Sequence, residues 1–287
     1  MKTKLFIFFI PLVLVLLAYG TYQGLAVAPT EQTMGDVQRI FYYHVPSAAV
    51  GFTCFFVNFI ASILYLWKRG QRADAWALTS AEVGVVFCTI VLVTGPIWAR
   101  YAWGIWWTWD ARLTTTLILW LLYISYLALR RSSEAGSTAV LAASLAIFAF
   151  LDVPIVYMAN RWFRTNHPQP VIGGDPNSGL DPKMGYALLA NMIAWMAYGA
   201  LVLCFRYTVE RSSQKVAAAY VQKAARGTAG LTALFTFMFF QKPSGVNPHA
   251  YLYGAYAVTW AIHIGYLLVV SGKIAKLKRE QLELTTA

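Results

Sequence analysis

The feature that most constrains this chain is a series of apolar runs, each long enough to cross a lipid bilayer and each followed by a polar segment. A bilayer core of about 30 Å is crossed by about 20 helical residues. Hydrophobic residues make up 59% of the 287 and charged residues only 12%, too little polar surface for a water-soluble globule. The sequence therefore predicts an all-α polytopic membrane protein.

Six core spans and a further C-terminal span are predicted from these runs. The apolar segment 227–240 has only 14 residues, but we expect it to cross as well, because the last span then starts outside and leaves its basic tail inside. The expected organisation is a six-span core (1–206), a linker (207–245) and a single-span segment (246–287). The predicted spans are 5–27, 48–67, 81–99, 113–129, 138–158, 184–205 and 251–271.

The distribution of positive charge predicts how the spans are oriented. The formal net charge is +11, but the Lys and Arg residues lie singly or in pairs at the ends of apolar runs, so no nucleic-acid partner is expected. The end predicted to be cytoplasmic, which includes the N-terminus, holds twelve of them. Loops 28–47, 100–112 and 159–183 then face outwards with six: Arg39, Arg100, Arg112, Arg161, Arg164 and Lys183.

The second outer loop is rich in tryptophan. Aromatic side chains are common at membrane interfaces, and that explanation fits any one of these indoles. Four indoles within seven residues form a platform that suits a large flat apolar ligand such as haem, and Arg100 and Arg112 on either side match its propionates. Asp110 fits equally well in a structural role, bound to Arg112 or to an indole N–H. The four indoles belong to Trp103, Trp106, Trp107 and Trp109.

The other two outer loops each contain a histidine, His44 and His167. A neutral imidazole is a common axial ligand of haem iron, so these two are the candidate metal ligands. An isolated loop histidine more often makes only a hydrogen bond at the interface. Because both accompany the tryptophan loop on one predicted face, we expect the ligand role here. His263, within the last span, is expected to make an interhelical hydrogen bond.

These motifs resemble those of a known family. Residues 103–114, WGIWWTWDARLT, are similar to the WWD signature of the haem-handling membrane proteins of cytochrome c maturation, and most of all to the CcmC family. The family's HVP motif, before the second span, is matched by His44-Val45-Pro46. Its second loop histidine is matched by His167, although Phe163 stands in place of a Trp, Asn166 in place of a Leu, and Pro168 precedes Gln169.

The resemblance implies a function for residues 5–206. It implies that haem b is bound at the outer face of a bacterial inner membrane by the two histidines, and is passed to the periplasmic haem chaperone CcmE. The implied partners in the complex are the ATP-binding cassette subunits CcmA and CcmB, since this chain has no nucleotide-binding motif. The segment 246–287 resembles CcmD, a single-span protein of the same system, here fused to the core.

Two other functions are compatible with the sequence, which contains no evident set of catalytic residues for an enzyme. A membrane redox protein of the cytochrome b type also uses paired histidines, but usually within facing helices rather than at loop margins. A transporter of another solute needs polar residues in mid-membrane, for which Glu82 and Asp152 are the candidates.

Overall fold

The computed structural model describes residues 3–131, 137–170, 180–221 and 248–286, and over these residues the chain forms eight α-helices. A π-helical turn, Gln23–Val27, extends the first helix, and a 3-10 helix, Asp36–Ile40, leads into the second. The α-helices are α1 Thr3–Tyr22, α2 Phe41–Lys68, α3 Gln71–Trp103, α4 Ala111–Arg131, α5 Ser137–Phe150, α6 Asp152–Trp162, α7 Pro182–Val221 and α8 Pro248–Thr286.

Six helical stretches of the described chain are long and apolar enough to cross a membrane, and α8 contains a shorter apolar stretch, Ala257–Gly272. This confirms the prediction of an all-α polytopic membrane protein with a six-span core and an additional C-terminal helix. The six stretches are Phe8–Val27, Asp36–Lys68, Gln71–Trp103, Ala111–Arg131, Thr138–Trp162 and Pro182–Val216.

The fifth span consists of two helices, α5 and α6, interrupted at Leu151. The interruption has a local cause in Pro154, whose nitrogen carries no hydrogen for the carbonyl of Phe150 and whose ring crowds that carbonyl. The amide of Leu151 instead donates to the carbonyl of Phe148 over 3.1 Å, a tighter turn than the α-helical one.

The helices α2 and α3 form the central antiparallel pair of the bundle, joined at Arg69, which has a φ of 52°. Helices α1, α7 and α8 pack on one side of this pair around a core that includes Trp195. Helices α4, α5 and α6 pack on the other side, where the rings of Phe55 and Tyr123 stack at 3.8 Å. The three-residue and four-residue spacing of buried alanines on α5 allows close helix approach there: Ala142, Ala146 and Ala149.

The two ends of the bundle differ in chemistry. We call the end where α3 stops and α4 begins the tryptophan end, and the opposite end the basic end. Near the basic end, Arg130 pairs with Asp74 through two contacts of 2.5 and 2.8 Å. Arg206 contacts Glu82 at 2.6 Å and Glu210 at 3.1 Å. These ion pairs join α3 to α4 and α7, so these charged side chains hold neighbouring helices together near the basic end.

Two C-terminal features differ from, or extend, the expected organisation. Helix α7 continues to Val221, so residues 207–221 of the expected linker are helical. The proposed crossing at 227–240 lies outside the described residues. Helix α8 runs in the same direction as α7, since His263 contacts Trp195 in the first half of α7 and Val270 packs with Val209 further along it.

Candidate functional site

Two histidines that are distant in the sequence lie side by side at the tryptophan end. The ring centroids of His44 and His167 are 6.5 Å apart, and the ring planes are inclined by 35°. His167 belongs to the segment that follows α6, as expected. His44 lies in the first turn of α2 rather than in a loop, because the 3-10 helix Asp36–Ile40 passes directly into α2. The predicted loop position of His44 is therefore wrong, and a helix supports this ring.

The helical position of His44 depends on an anchored loop. Arg39 is only 8% exposed, and its guanidinium donates to the carbonyls of Gly24 at 2.8 Å and Ala28 at 3.0 Å. It also contacts the carboxylate of Asp36 at 3.0 Å. One buried cation thus ties the π-helical turn after α1 to the 3-10 helix before α2, and so fixes where α2 begins.

Each of the two imidazoles uses its Nδ1 atom to contact the protein. Nδ1 of His44 lies 2.9 Å from the hydroxyl of Thr94 on α3. Nδ1 of His167 lies 2.8 Å from the carbonyl oxygen of Pro168. Neither Nε2 atom has a hydrogen-bond partner within the described ranges. The second nitrogen of each ring is therefore available to a ligand.

Asn160, buried at the end of α6, connects the second histidine to Arg112. Its side-chain oxygen accepts a hydrogen bond from Arg112 at 3.2 Å. Its side-chain nitrogen donates to the carbonyls of His167 at 3.1 Å and Pro168 at 2.7 Å. The same nitrogen of Arg112, Nη1, also donates to the carbonyl of Tyr157 at 3.3 Å. This network fixes the backbone that carries the imidazole of His167.

His167 is held in its neutral form. Burial, and to a smaller extent the positive charge of Arg112, lowers the pKa of His167 from its ordinary 6.5 to about 4. An imidazole coordinates a metal only through an unprotonated nitrogen. The site therefore supplies this ring in the form that can act as a ligand, over the whole neutral and mildly acidic range.

The tryptophan loop begins where α3 ends, at Gly104, whose φ of 76° is strained for any other residue except Asn or Asp. Its indoles do not form the flat platform that the sequence led us to expect. The rings of Trp107 and Trp109 meet edge to face at 5.8 Å and 76°, and those of Trp98 and Trp103 at 5.1 Å and 84°. Edge-to-face pairs are the favoured geometry of aromatic rings in contact.

The indoles of the loop differ in exposure. The side chain of Trp109 is 76% exposed and that of Trp106 is 45% exposed, so both present apolar surface outside the bundle. Trp107 is half-buried, and its buried Nε1–H finds no hydrogen-bond acceptor among the residues described. The loop thus offers apolar edges and the unpaired Nε1–H of Trp107 to a ligand, rather than a single stacking surface.

Charged residues of the loop have separate roles. Asp110 caps α4: one carboxylate oxygen accepts from the backbone N–H of Leu113 at 3.0 Å and the other from the hydroxyl of Thr108, also at 3.0 Å. This is a structural role, with partners other than those expected. Arg100 turns back to the carbonyl of Gly104. Of the two loop arginines, Arg112 is the one in contact with the histidine network.

Thr94 and Asn160 belong to this site and were not singled out from the sequence. Each is a neutral polar residue within an apolar stretch, close to the tryptophan end, and each is at most 5% exposed. Buried polar side chains in membrane helices need hydrogen-bond partners. A polar residue inside an apolar run was therefore the sequence signal that could have identified both. His263 is 2% exposed among the rings of Phe87, Trp195 and Tyr198, and its Nε2 makes no hydrogen bond to the described residues, so Nε2 does not form the interhelical bond expected of this residue.

Fold and site together define a polytopic helical membrane protein with paired imidazoles at one end of its bundle. The family model CcmC, described as "Heme exporter protein C", matches residues 1–222. The chain belongs to this family.

Relatives with the same name are found in several bacteria. The chain is 36% identical over 182 residues to Heme exporter protein C of Bradyrhizobium diazoefficiens, covering 63% of this chain and 69% of the relative. It is 34% identical over 201 residues to that of Haemophilus influenzae, covering 70% and 80% respectively. It is 31% identical over 198 residues to that of Escherichia coli K12, covering 69% and 78%.

Proposed function

We propose that this protein binds haem b as cargo at the outer face of the inner membrane and passes it to a periplasmic haem chaperone for cytochrome c maturation. The observation that carries this proposal is the pairing of His44 and His167, each with Nε2 available. Family membership supports the haem-handling role, since the relatives are named for haem export.

The separation of the rings suits two axial ligands of one iron. With metal–imidazole bonds of about 2 Å, and about 1.1 Å from the bonding nitrogen to the ring centre, two such rings have centroids about 6.2 Å apart. The rings of His44 and His167 are 6.5 Å apart. The separation of the two rings is therefore close to that of two imidazoles on one iron.

Arg112 is the residue best suited to a haem propionate. Its guanidinium is half-buried, and its hydrogen bonds run to the neutral oxygens of Tyr157 and Asn160 rather than to a carboxylate. A planar guanidinium binds a carboxylate through two parallel hydrogen bonds. The charge of Arg112 also lowers the pKa of His167, so the same cation favours propionate binding and a neutral His167 ring.

The apolar surface of the porphyrin would meet the tryptophan loop. Trp106 and Trp109 are exposed and connect, through Asp110 and the start of α4, to Arg112. Because the indoles pack edge to face, we propose that they contact the rim of the porphyrin rather than stack on its face. Trp103 and Trp107 then support the loop, and Arg100 fixes its first turn.

Haem is held and handed over in this proposal, and the chain performs no catalysis of its own. The proposed recipient is CcmE, and the proposed partners are the ATP-binding cassette subunits CcmA and CcmB, which would supply any ATP hydrolysis. Helix α8 packs on α3 and α7 through Trp260, His263 and Tyr266, a position in which a CcmD-like segment would be a permanent part of the bundle.

The histidine ligands can be tested by purification in mild detergent. We expect both His44→Ala and His167→Ala to lose most of the bound haem and the visible spectrum of a six-coordinate iron. His263→Phe is the matched control, because it removes an imidazole from the same bundle while keeping a ring among Phe87, Trp195 and Tyr198. Unchanged haem content in both alanine variants would refute the proposal.

The alternative of a solute transporter has less support. Of its two candidate mid-membrane groups, Glu82 is engaged by Arg206 at 2.6 Å. That leaves Asp152, at the interruption between α5 and α6, and a single carboxyl does not define a transport pathway.

A further inference from the structure

The hydroxyl of Thr94 contacts two groups at once. Its oxygen lies 2.7 Å from the backbone carbonyl oxygen of Ile90, one turn earlier in α3, and 2.9 Å from Nδ1 of His44. Thr94 is 1% exposed, so solvent does not compete for either contact. Both distances are those of good hydrogen bonds.

A count of protons assigns the donors in this pair of contacts. A threonine hydroxyl has one proton, and a carbonyl oxygen only accepts. The contact with Ile90 therefore takes the proton of the Thr94 hydroxyl. What remains towards His44 is an oxygen lone pair, so the hydrogen in that contact must be carried by Nδ1 of the imidazole.

From this we infer that Thr94 is a positioning residue, which holds His44 in the tautomer with hydrogen on Nδ1 and a free electron pair on Nε2 for haem iron. The inference rests on the proposed function, because it concerns how the ligand is prepared. In the other tautomer, Nε2 would carry a hydrogen and could not bind iron without a proton transfer.

The second histidine is set in the same tautomer by different means. The two hydrogens of the Asn160 amide nitrogen are taken by the carbonyls of His167 and Pro168. The same amide nitrogen lies 3.4 Å from Nδ1 of His167, but its shorter contacts to the two carbonyls use both of its hydrogens. Nδ1 itself lies 2.8 Å from the carbonyl oxygen of Pro168, and a carbonyl supplies no hydrogen. Nδ1 of His167 must therefore be the donor. Two different arrangements thus leave Nε2 unprotonated on both rings, and each ring can bind the iron through that nitrogen.

The position of the His44 ring is fixed as well as its tautomer. A methyl group at residue 95 would lie 3.4 Å from Cε1 of His44, so the ring lies directly against the backbone of α3 beside Thr94. Cε1 is the carbon between the two ring nitrogens. The lack of a side chain at Gly95 leaves room for the imidazole, and the hydroxyl of Thr94 holds its Nδ1, so that Nε2 is the ring nitrogen on the side away from Thr94.

The test compares Thr94→Val with Thr94→Ser in the full-length protein purified in mild detergent. Valine keeps the shape of threonine but removes the acceptor, and we expect haem affinity to fall by about 10- to 100-fold, the usual effect of losing such an outer partner. Serine keeps the hydroxyl and should stay within about threefold of the parent. The residual complex of Thr94→Val should also lose six-coordinate spectral character.

A matched control is available on the same helix. The hydroxyl of Thr89 donates to the carbonyl of Val85 at 2.7 Å and accepts from the indole of Trp120 at 2.8 Å, so it has the same two-sided geometry away from the histidines. Thr89→Val should cost similar stability and leave haem affinity unchanged. An equal loss of haem in both valine variants would mean that Thr94 acts only through the fold.

Nitrogen-15 spectroscopy of histidine-labelled wild-type protein tests the tautomer without any substitution in α3. We expect one His44 signal typical of a protonated Nδ1 and an unprotonated Nε2, assigned by its absence from His44→Gln. The reverse pattern would overturn the inference. If His44→Ala loses haem while Thr94→Val binds normally, the positioning role fails but the proposed function stands. If both His44→Ala and His167→Ala retain haem, the proposed function itself fails.

Discussion

Arg112 donates a hydrogen bond of 3.2 Å to the side-chain oxygen of Asn160, and this contact joins the end of the tryptophan loop to the segment that carries the second histidine. The two residues come from different helices, α4 and α6. Because the amide of Asn160 is satisfied on both sides, it transmits position in both directions. A displacement of the tryptophan loop should therefore shift the imidazole of His167 as well.

Asn160→Leu should separate the loop from the histidine. Leucine has a similar volume but leaves the carbonyls of His167 and Pro168 without their donor, at a cost of about 1–3 kcal/mol. We expect haem content to fall about tenfold in protein that is still folded. Asn58→Leu is the control: Asn58 is fully buried and donates to Ala77 at 2.6 Å within the α2–α3 pair. Thermal unfolding should show comparable decreases in melting temperature for Asn160→Leu and Asn58→Leu. Only Asn58→Leu should retain its haem.

Arg112→Gln should weaken recognition of the propionates. The measurement is the affinity for haem compared with that for its dimethyl ester, which has no negative charge. The parent protein should favour haem by about tenfold, about 1.4 kcal/mol, and Arg112→Gln should bind the two almost equally. Arg164→Gln, which removes an exposed arginine from the segment after α6, should keep the preference. An undiminished preference in Arg112→Gln would assign the propionates to another cation.

The acidic limit of haem binding should lie well below that of a solvent-exposed histidine. Because the pKa of His167 is lowered to about 4, its ring stays neutral between pH 7 and about 5, and binding should be constant there. Loss of the six-coordinate spectrum should be centred at or below about pH 4. Arg112→Gln removes a cation, so the loss should move to higher pH. A midpoint near 6.5 in the parent would show that the ring is not buried.

The same pKa shift predicts how stability depends on pH. Between about pH 6.5 and 4, an unfolded chain protonates this histidine and the folded chain does not. The unfolded state then binds more protons, so His167 contributes to loss of stability as the pH falls through this window. Thermal unfolding of the parent should therefore show a steeper decrease in melting temperature than His167→Gln over the same range.

Much of this fold was predictable because membrane spans are set by length and apolarity alone. The helices α3 and α4 bracket the tryptophan loop as expected, and both histidines lie at the same end of the bundle as this loop. The start of α2 was misplaced because the polar residues before it, including Arg39, resemble a loop in sequence. They are helical because Arg39 finds backbone carbonyls contributed by the turn after α1, a tertiary partner that periodicity does not reveal.

The two histidines of the candidate site stand out in the sequence, but the residues that support them do not. His44 and His167 are noticeable because few residue types bind iron, and only four histidines occur in the chain. Thr94 and Asn160 are ordinary residues whose importance comes from what lies beside them after folding. The flat indole platform was wrong for a related reason, since the sequence gives the number of rings but not the angles at which they pack.

The side of the membrane that bears the site can be tested with single cysteines. Ile105, 48% exposed in the tryptophan loop, reports on the end of the bundle that bears the histidines, and the exposed Arg69 between α2 and α3 reports on the opposite end. In intact spheroplasts, a membrane-impermeant thiol reagent should label Ile105→Cys and should label Arg69→Cys only after permeabilisation.

The background in this experiment is low, because the native cysteines lie within the bundle: Cys54 and Cys88 are buried and Cys204 is half-buried. Labelling of the protein without an added cysteine measures the remaining background. The opposite labelling pattern would leave the pairing of the histidines intact but turn the site towards the cytoplasm. Transfer of haem to a periplasmic chaperone would then be impossible without a further transport step. The experiment therefore tests on which side of the membrane haem is bound, independently of whether the histidines bind it.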